Sequence, residues 1–400
     1  MHIAIDTTSF GHDEVRRGNI VNSTSIFTAD LLDGFVTLGK ANCFTLIVND
    51  GHEEFFARRF PQYRLLALKW SPLSLLRILS GGKFAGTKYI KKLGIYRRKV
   101  EKAGFDLLWF PYSVSYSIVK TSIPSVFTIH DLFRFHELHE TSGFGYIADS
   151  RNYITTISSY TKEDIQQSLH YKKEITVIPN SVRCDISASR EIPGINGNFI
   201  LDINAYIEKK NPMTLLKAFS LIADKTECDL VFCGGYKDEM LFRTMQEFIR
   251  EKDLEERVRL LFRIPSDQKN WLLKKASLFV TSSLYEGFGR TPVEAAICKI
   301  PVISTKETSL YEATMGLANY VEEPRNEHEL ASLMLQKLKN PESAERLAFI
   351  SKTLEEAYAA ETCAQKYLEL FMDILNVNPD KRGGVIDPYQ HHRHCLPVAA

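Results

Sequence analysis

Two glutamates on either side of a glycine-rich segment form the stretch of this sequence best suited to chemistry. Glu286 and Glu294 lie eight positions apart, and the letters GFGRTPV stand between them. The letters before Glu286, ASLFVTSS, are typical of a buried strand, and those after Glu294 are typical of a short apolar helix. The stretch therefore predicts a strand, a glycine-rich loop, a helix and a further strand.

A loop of this kind is suited to binding a diphosphate. The first amides of a helix have no partners within the helix, and the helix dipole adds positive potential there. Gly287 and Gly289 let the backbone approach a ligand closely. Glu286 can then reach a group beside the phosphates, whereas Glu294, about one turn into the helix, can accept hydrogen bonds from ribose hydroxyls. A surface turn with two solvated glutamates fits the same spacing, so the rest of the chain must decide.

Composition sets the bounds of the interpretation. The 400 residues suffice for two domains with proper cores, and 44% hydrophobic with 25% charged residues is ordinary for a globular protein. A net charge of +1 argues against a general nucleic-acid binder. The seven cysteines include no C-x-x-C pair, which favours a reducing compartment over a disulfide framework or a zinc site.

Nothing in the sequence predicts a membrane span or a secretory signal. The chain has no run of 18 apolar residues, and its first ten letters are typical of a strand and a loop. We therefore expect a cytoplasmic protein.

Segments of strand and helix length alternate along the chain, which predicts parallel, doubly wound sheets. A long polar loop is predicted at residues 7–22, ahead of a helix at Ser23–Leu38. The clearest predicted strands are Phe44–Val48, Arg64–Leu68, Leu107–Phe110, Val126–Ile129, Tyr153–Ile157, Phe199–Ile203, Leu230–Cys233 and Val258–Leu261.

Two further polar groups directly follow predicted strands. His130 and Asp131 come after Val126–Ile129, and Asn204 comes after Phe199–Ile203, with Lys209 and Lys210 a few positions on. Open α/β sheets bind ligands at the carboxyl ends of their strands. Taken singly, a histidine–aspartate pair is more often structural, and a lysine pair more often lies on a solvated turn.

The order of these motifs resembles glycosyltransferase family 4, whose members are retaining enzymes of the GT-B fold. E-G-F-G-x-x-x-x-E followed by P-V-I is similar to the family signature, and ITVIPNSV at 175–182 is similar to the end of its first domain. VFTIHDL at 126–132 is similar to its N-terminal active-site motif. The resemblance runs over about residues 1–375 and implies an α/β protein with two Rossmann-like, doubly wound domains facing a central cleft.

The resemblance also implies roles for particular residues. It assigns Glu286 and His130 to the donor sugar as catalytic residues, and Glu294 to the ribose. The donor diphosphate is assigned to the backbone of Gly287, Phe288, Gly289 and Arg290, and to Lys209 and Lys210. Asp131 would orient the loop or the imidazole of His130.

This chain departs from the family pattern at several positions. Asn204 replaces a glycine, Lys209 replaces an arginine, and Glu307–Thr308 replaces a pair of glycines. Lysine offers a point charge where arginine offers a two-pronged donor, so donor affinity or donor choice can differ.

The expected function is transfer of a sugar, with retention, from a nucleotide-diphosphate sugar to a glycan or lipid-linked acceptor in cell-surface polysaccharide or glycoconjugate assembly. No D-x-D sequence occurs, so we expect neither a metal-bridged diphosphate nor a cofactor. Two alternatives stay open: a nucleotide-sugar epimerase of the same fold, which needs no acceptor, and a non-catalytic nucleotide-sugar-binding subunit.

The predicted organisation has an acceptor-side domain at 1–182, a linker at 183–198 and a nucleotide-sugar domain at 199–358. The resemblance adds a helix at 359–376 that returns to the first domain, and residues 377–400 are a polar tail with no predicted order.

Residues 69–102 combine an apolar run with clustered cations, which suits peripheral contact with an anionic membrane at its inner face. An ordinary amphipathic helix pair fits as well. The apolar members are Trp70, Leu73, Leu75, Leu76, Ile78 and Leu79, and the cations include Lys91, Lys92, Arg97 and Arg98.

Overall fold

The computed structural model describes residues 1–18, 20, 22–69, 94–112, 119–138, 147, 152–195 and 198–375. Within these residues the chain forms two separate sheets of entirely parallel strands, each covered by helices. The α/β class predicted from the sequence is confirmed.

The first sheet has seven strands in the order β3-β2-β1-β4-β5-β6-β7. Its central strands are buried along their whole length because both faces are covered by helices. The strands are β1 Ile3–Asp6, β2 Phe44–Asn49, β3 Arg64–Leu68, β4 Leu107–Phe110, β5 Ser125–Ile129, β6 Asn152–Thr156 and β7 Ile175–Val177.

The second sheet has six strands in the order β10-β9-β8-β11-β12-β13. In both sheets the strand order reverses beside the first strand, which opens a crevice at the carboxyl ends. The strands are β8 Phe199–Ile203, β9 Asp229–Gly234, β10 Val258–Phe262, β11 Leu278–Val280, β12 Val302–Thr305 and β13 Asn319–Val321.

Most helices of the described residues lie between strands in the chain, as a doubly wound fold requires, and the last three follow β13. In the first half they are α1 His12–Arg17, α2 Ser23–Thr37, α3 Glu53–Arg59, α4 Ile95–Lys102, α5 Phe133–Leu138 and α6 Ser159–Ser168. In the second half they are α7 Pro212–Ser220, α8 Glu239–Glu251, α9 Ser266–Lys275, α10 Arg290–Ile297, α11 Leu310–Ala313, α12 Glu327–Lys339, α13 Ala344–Ala357 and α14 Ala360–Ile374.

The last described helix, α14, packs on the first sheet although it follows the second one in the chain. The Tyr367 hydroxyl lies 3.1 Å from Thr128 Oγ1 of β5 and 3.4 Å from Thr155 Oγ1 of β6. A Cβ at Gly34 of α2 would lie 2.5 Å from the Ala360 carbonyl oxygen, so glycine permits this close helix approach. The two halves are therefore joined by packing as well as by the linker; the exact domain bounds stay a prediction.

Two details differ from the sequence-based expectations. The loop predicted at 7–22 contains the short helix α1, because the buried Glu14 carboxylate accepts hydrogen bonds from the Gly11 and Asn22 amides at 2.9 and 2.7 Å. Cys184 and Cys298 form a disulfide between the linker and the end of α10, where free thiols were expected.

The segment predicted to touch a membrane lies mostly outside the described residues, as does the tail after residue 375. Its described end is α4, where Lys99 Nζ donates to the Ala67 carbonyl at 3.0 Å and Arg97 pairs with Glu101 at 3.0 Å. No helix in the described part of the chain is long and apolar enough to cross a membrane.

Candidate active site

The first of the two glutamates forms an ion pair within the second domain. Lys210, from the short 3-10 turn Glu208–Lys210 after β8, places Nζ against Glu286 Oε1, and Ser283 Oγ donates to the same oxygen at 3.1 Å. The two charged side chains are only 13% and 14% exposed. Little water competes for the pair, so its charges interact strongly. The structure thus brings together Lys210 and Glu286, 76 positions apart in the sequence.

Lys209 makes a different set of contacts from its neighbour. Its ammonium lies 3.8 Å from the ring centre of Phe133 in α5 and 5.3 Å from that of Tyr285. Burial lowers the pKa of Lys209. Its carbonyl accepts the amides of Leu284 and Tyr285 at 2.8 and 3.3 Å, which ties the turn after β8 to the Glu286 loop. Lys209 therefore bridges the two domains through an aromatic ring.

The glycine-rich loop meets the first domain at Gly287. A Cβ there would collide with the His130 carbonyl oxygen, and Ser158 Oγ donates to the Gly287 carbonyl at 2.8 Å. Since Gly287 follows β11 and His130 follows β5, the carboxyl ends of the two sheets face each other. This juxtaposition is the predicted central cleft.

The next two residues, Phe288 and Gly289, determine the conformation of the loop. Gly289 begins α10 in the left-handed region at φ +94°, where a side chain would be strained and would strike Leu310. The Phe288 ring is buried edge-to-face against Tyr358 at 5.2 Å between ring centres. The Phe288 side chain therefore belongs to the core, and the backbone of the loop is what this segment offers to a ligand.

The His130 ring is fixed in one tautomer. Its Nε2 lies 2.9 Å from the Pro111 carbonyl oxygen, which can only accept, so Nε2 carries the proton and Nδ1 the lone pair. Burial lowers the pKa of His130, which keeps the ring neutral at neutral pH. Asp131 Oδ1 accepts the Phe133 amide at 3.1 Å at the start of α5, so it shapes the loop.

The second glutamate pairs with a lysine that the sequence did not suggest, and it lies near Arg290 of its own helix. Lys269 Nζ of α9 donates to Glu294 Oε2 at 2.6 Å, and Arg290 Nε lies 3.8 Å from Oε1. The rest of the Arg290 guanidinium turns to the first domain, where it donates to the Ser181 carbonyl at 2.8 Å and to Asp30 Oδ2 at 3.2 Å. The Arg290 side chain therefore joins the domains. Its backbone is left for the contact with phosphate that the resemblance assigned to it.

Two buried aspartates lie near these two ion pairs. Asp30 of α2 is held by Arg290 and also by Arg183 at 3.0 Å; burial raises its pKa, and the two arginines oppose that effect. Asp202, in β8, accepts a hydrogen bond from the Asn204 side-chain Nδ2 at 2.6 Å, and burial raises the pKa of Asp202 to about 7. The side chain of the predicted site residue Asn204 thus donates to a buried carboxyl, and it also donates to Thr281 Oγ1 at 3.3 Å.

Sequence reasoning missed Asp202, Asp30 and Lys269. An aspartate inside the otherwise apolar letters FILDI was a signal for Asp202. No pattern marks Asp30 or Lys269, because their partners lie far away in the sequence. Among the residues described, no group of three or more His, Cys, Asp or Glu side chains could hold a metal ion.

Comparison with known proteins agrees with this geometry. The family described as Glycosyl transferases group 1 matches residues 185–353, and Glycosyltransferase Family 4 matches residues 54–186. The chain belongs to these glycosyltransferases. The family predicted from the motifs is thereby confirmed, and with it the enzyme class, transfer of hexosyl groups.

Relatives of this glycosyltransferase include an uncharacterized glycosyltransferase of Methanocaldococcus jannaschii, 25% identical over 73% of this chain and 82% of the relative. The O-antigen chain mannosyltransferase B of Escherichia coli is 24% identical over 62% of this chain and 70% of the relative.

Similar solved structures confirm the GT-B fold. A glycosyltransferase from Rickettsia africae superposes with a TM-score of 0.66 at 16% identity, covering 94% of this chain and 99% of that one. The Anabaena protein HepE in complex with UDP-glucose superposes with a TM-score of 0.65 at 15% identity, covering 93% and 100%.

Proposed function

We propose that this glycosyltransferase transfers a hexose, with retention of configuration, from a nucleotide-diphosphate sugar to a glycan or lipid-linked acceptor. The observation that carries the proposal is the shielded Lys210–Glu286 ion pair beside the N-terminus of α10. The pair puts a cation for phosphate and a carboxylate for sugar hydroxyls side by side at the mouth of a glycine-rich loop.

The diphosphate would be held by the α10 amides and by Lys210 and Lys209. As the bond between the sugar C1 and the diphosphate oxygen breaks, these groups stabilise the charge that develops on the leaving oxygen. The acceptor oxygen bonds to C1 on the same face, and its proton passes to the departing phosphate oxygen. No protein nucleophile enters this scheme.

Glu286 and His130 would hold the donor sugar. With Lys210 engaged by phosphate, the Glu286 carboxylate can accept hydrogen bonds from sugar hydroxyls. The neutral His130 ring, protonated at Nε2, offers Nδ1 as a further acceptor. Glu294 would accept the ribose hydroxyls, and Lys269 would keep its carboxylate in place.

The names of the relatives guide the choice of donor. Two relatives are named O-antigen chain mannosyltransferases, and HepE was solved with UDP-glucose. We infer a hexose donor and a role in polysaccharide or glycoconjugate assembly. Because Lys209 and Lys210 supply the cations, we also infer that binding of the diphosphate needs neither a metal ion nor a cofactor, so activity should survive EDTA.

A panel of nucleotide sugars tests the proposal. A ligand that binds only the native state raises the Tm, so a thermal-shift panel with mannose and glucose donors identifies the donor. Transfer to glycan and lipid-linked acceptors is then followed by product analysis. Epimerised donor formed without acceptor would favour the epimerase, and binding without turnover would favour the non-catalytic subunit.

We also propose peripheral contact with anionic membrane through the basic segment at 69–102. Arg98 in α4 is exposed, which fits a surface role, whereas Arg97 and Lys99 have partners within the protein. Sedimentation with anionic and neutral liposomes at low and raised salt tests this contact. Binding should require anionic lipid and weaken when Lys91, Lys92, Arg97 and Arg98 are replaced; absence of binding at low salt would refute it.

A further inference from the structure

Thr308 adopts a backbone conformation that its side chain disfavours. It lies in the loop between β12 and α11 at φ +53°, in the left-handed region. A β-branched residue is rarely found there, because its Cβ crowds the backbone. Glycine, which has no Cβ, would adopt the conformation without strain. Strain that is retained where a simple substitution would remove it suggests a function for the side chain.

The hydroxyl of Thr308 holds the main chain of Glu286 at both of its polar groups. Thr308 Oγ1 accepts the Glu286 amide at 3.0 Å and donates to the Glu286 carbonyl at 3.0 Å. Ser309 Oγ donates to the same carbonyl at 2.9 Å. Both backbone groups of the proposed catalytic glutamate are therefore bound by hydroxyls from a neighbouring loop. Glycine at 308 would remove both Thr308 contacts and leave the contact of Ser309.

The two ends of Glu286 are thus fixed from opposite directions. Lys210 and Ser283 hold its carboxylate, while the β12–α11 loop holds its backbone. Thr305 Oγ1, at the end of β12, donates to the Ser283 carbonyl at 2.7 Å. This hydrogen bond also joins the segment after β12 to the segment that leads from β11 to Glu286. When Lys210 turns to a diphosphate, the contacts of the β12–α11 loop remain to keep Glu286 in place.

We propose that Thr308 is a positioning residue, which fixes the Glu286 backbone so that the carboxylate meets the donor sugar in a productive geometry. The inference rests on the role proposed for Glu286. It explains why this chain keeps a strained threonine at 308: the hydroxyl is needed for function, although the backbone conformation disfavours the residue.

Three variants test the inference by comparing the effects of each substitution on thermal stability, on amide exchange at Glu286 and on kcat. In Thr308→Gly the strain is relieved and the hydroxyl is lost; in Thr308→Ser the hydroxyl is kept. Asp253→Gly is the matched control, because Asp253 is an exposed residue at φ +52° in the turn between α8 and β10, outside the site. Both glycine variants remove a strained backbone, but only one removes contacts to Glu286.

We expect Thr308→Gly to keep or raise the Tm, while hydrogen exchange of the Glu286 amide accelerates about tenfold or more. Its kcat should fall by about 10- to 100-fold, since small displacements of a catalytic group have effects of this size. Thr308→Ser should stay within about threefold of the wild type in kcat. Asp253→Gly should change neither amide exchange at Glu286 nor kcat.

Two results would overturn the inference: unchanged exchange at Glu286 in Thr308→Gly, or a loss of kcat in Thr308→Ser as large as in Thr308→Gly. If the wild type transfers no sugar from any donor, the proposed function fails instead. In that case amide exchange still decides whether Thr308 fixes Glu286, because it requires no substrate.

Discussion

Glu286 and Glu294 look alike in the sequence but are held in different ways. Each forms an ion pair with a lysine, Lys210 for the first and Lys269 for the second. Among the described residues, the side chains that hold Glu286 belong to the second domain: Lys210, Ser283, Thr308 and Ser309. Glu294 lies near Arg290, which also contacts Asp30 in the first domain. Within this part of the chain, the first glutamate is thus placed by the second domain, whereas the second glutamate is coupled to the contact between the two domains.

This difference separates two kinds of effect. Changes around Glu286 should alter the chemical step or the binding of phosphate while leaving the fold intact, because its described partners lie in loops of one domain. Changes around Glu294 should alter nucleotide binding and domain contact together, because a charge removed there leaves another charge buried and unpaired across the interface.

The largest effect is expected at Glu286. Glu286→Gln keeps the size of the side chain but removes the charge, so kcat should fall about 10²- to 10³-fold, as for loss of a transition-state contact. Affinity for the nucleoside diphosphate should change little. Glu355→Gln, an exposed change on α13, is the control. Near-normal turnover of the Glu286 variant with every active donor would remove Glu286 from the catalytic machinery.

Lys210→Ala should have the next largest effect. Loss of a charge-assisted contact should weaken nucleoside-diphosphate binding by about 1–3 kcal/mol. The free diphosphate product should be affected as much as the donor, because the contact is to phosphate. Calorimetry measures the affinity for both ligands. Lys209→Ala should weaken binding less than Lys210→Ala, because the Lys209 ammonium lies over the Phe133 ring. Equal affinities in wild type and Lys210→Ala would place Lys210 outside the phosphate site.

These two predictions could be made from the sequence because local patterns carry them. Strand, loop and helix around Glu286 follow from apolar periodicity and glycine positions, and Lys210 follows a recognisable strand. The surroundings of Glu294 are different: Arg290 is its neighbour on the same helix, but Lys269 and Asp30 come from two other helices, which only tertiary packing brings close. Similarly, α1 depends on the buried carboxylate of Glu14 and not on helical periodicity.

Arg290→Leu tests the coupling of Glu294 to the first domain. The change leaves Asp30 buried with Arg183 as its remaining cation, so we expect a loss of stability of about 2 kcal/mol and a higher KM for the donor. Arg59→Leu is the control: Arg59 pairs with the more exposed Asp33, which Arg183 links to Asp30. This change should lower the free energy of unfolding by less than about 1 kcal/mol. Thermal melts and donor kinetics would measure both; equal effects of the two variants would refute the coupling.

A pH dependence of stability is expected from Asp202, the buried carboxyl near the Lys210–Glu286 pair. Burial raises the pKa of Asp202 from 3.8 to about 7, so between these values the folded protein retains a proton that the unfolded chain has lost. The unfolded state then binds fewer protons, and the contribution of Asp202 to stability falls as pH rises through this window.

Asp202→Asn removes this dependence because an amide does not titrate. The free energy of unfolding of the variant, minus that of the wild type, should therefore increase from pH 5 to pH 7, by at most about 1.4 kcal/mol per pH unit. Urea titrations at several pH values measure this difference, in which the titration of groups common to both proteins cancels. A flat difference across the window would mean that Asp202 is already ionised at pH 5. The Lys210 ammonium would then interact with two carboxylates, Glu286 and Asp202. The Glu286 ion pair would in that case belong to a larger charge network, as the Glu294 ion pair does.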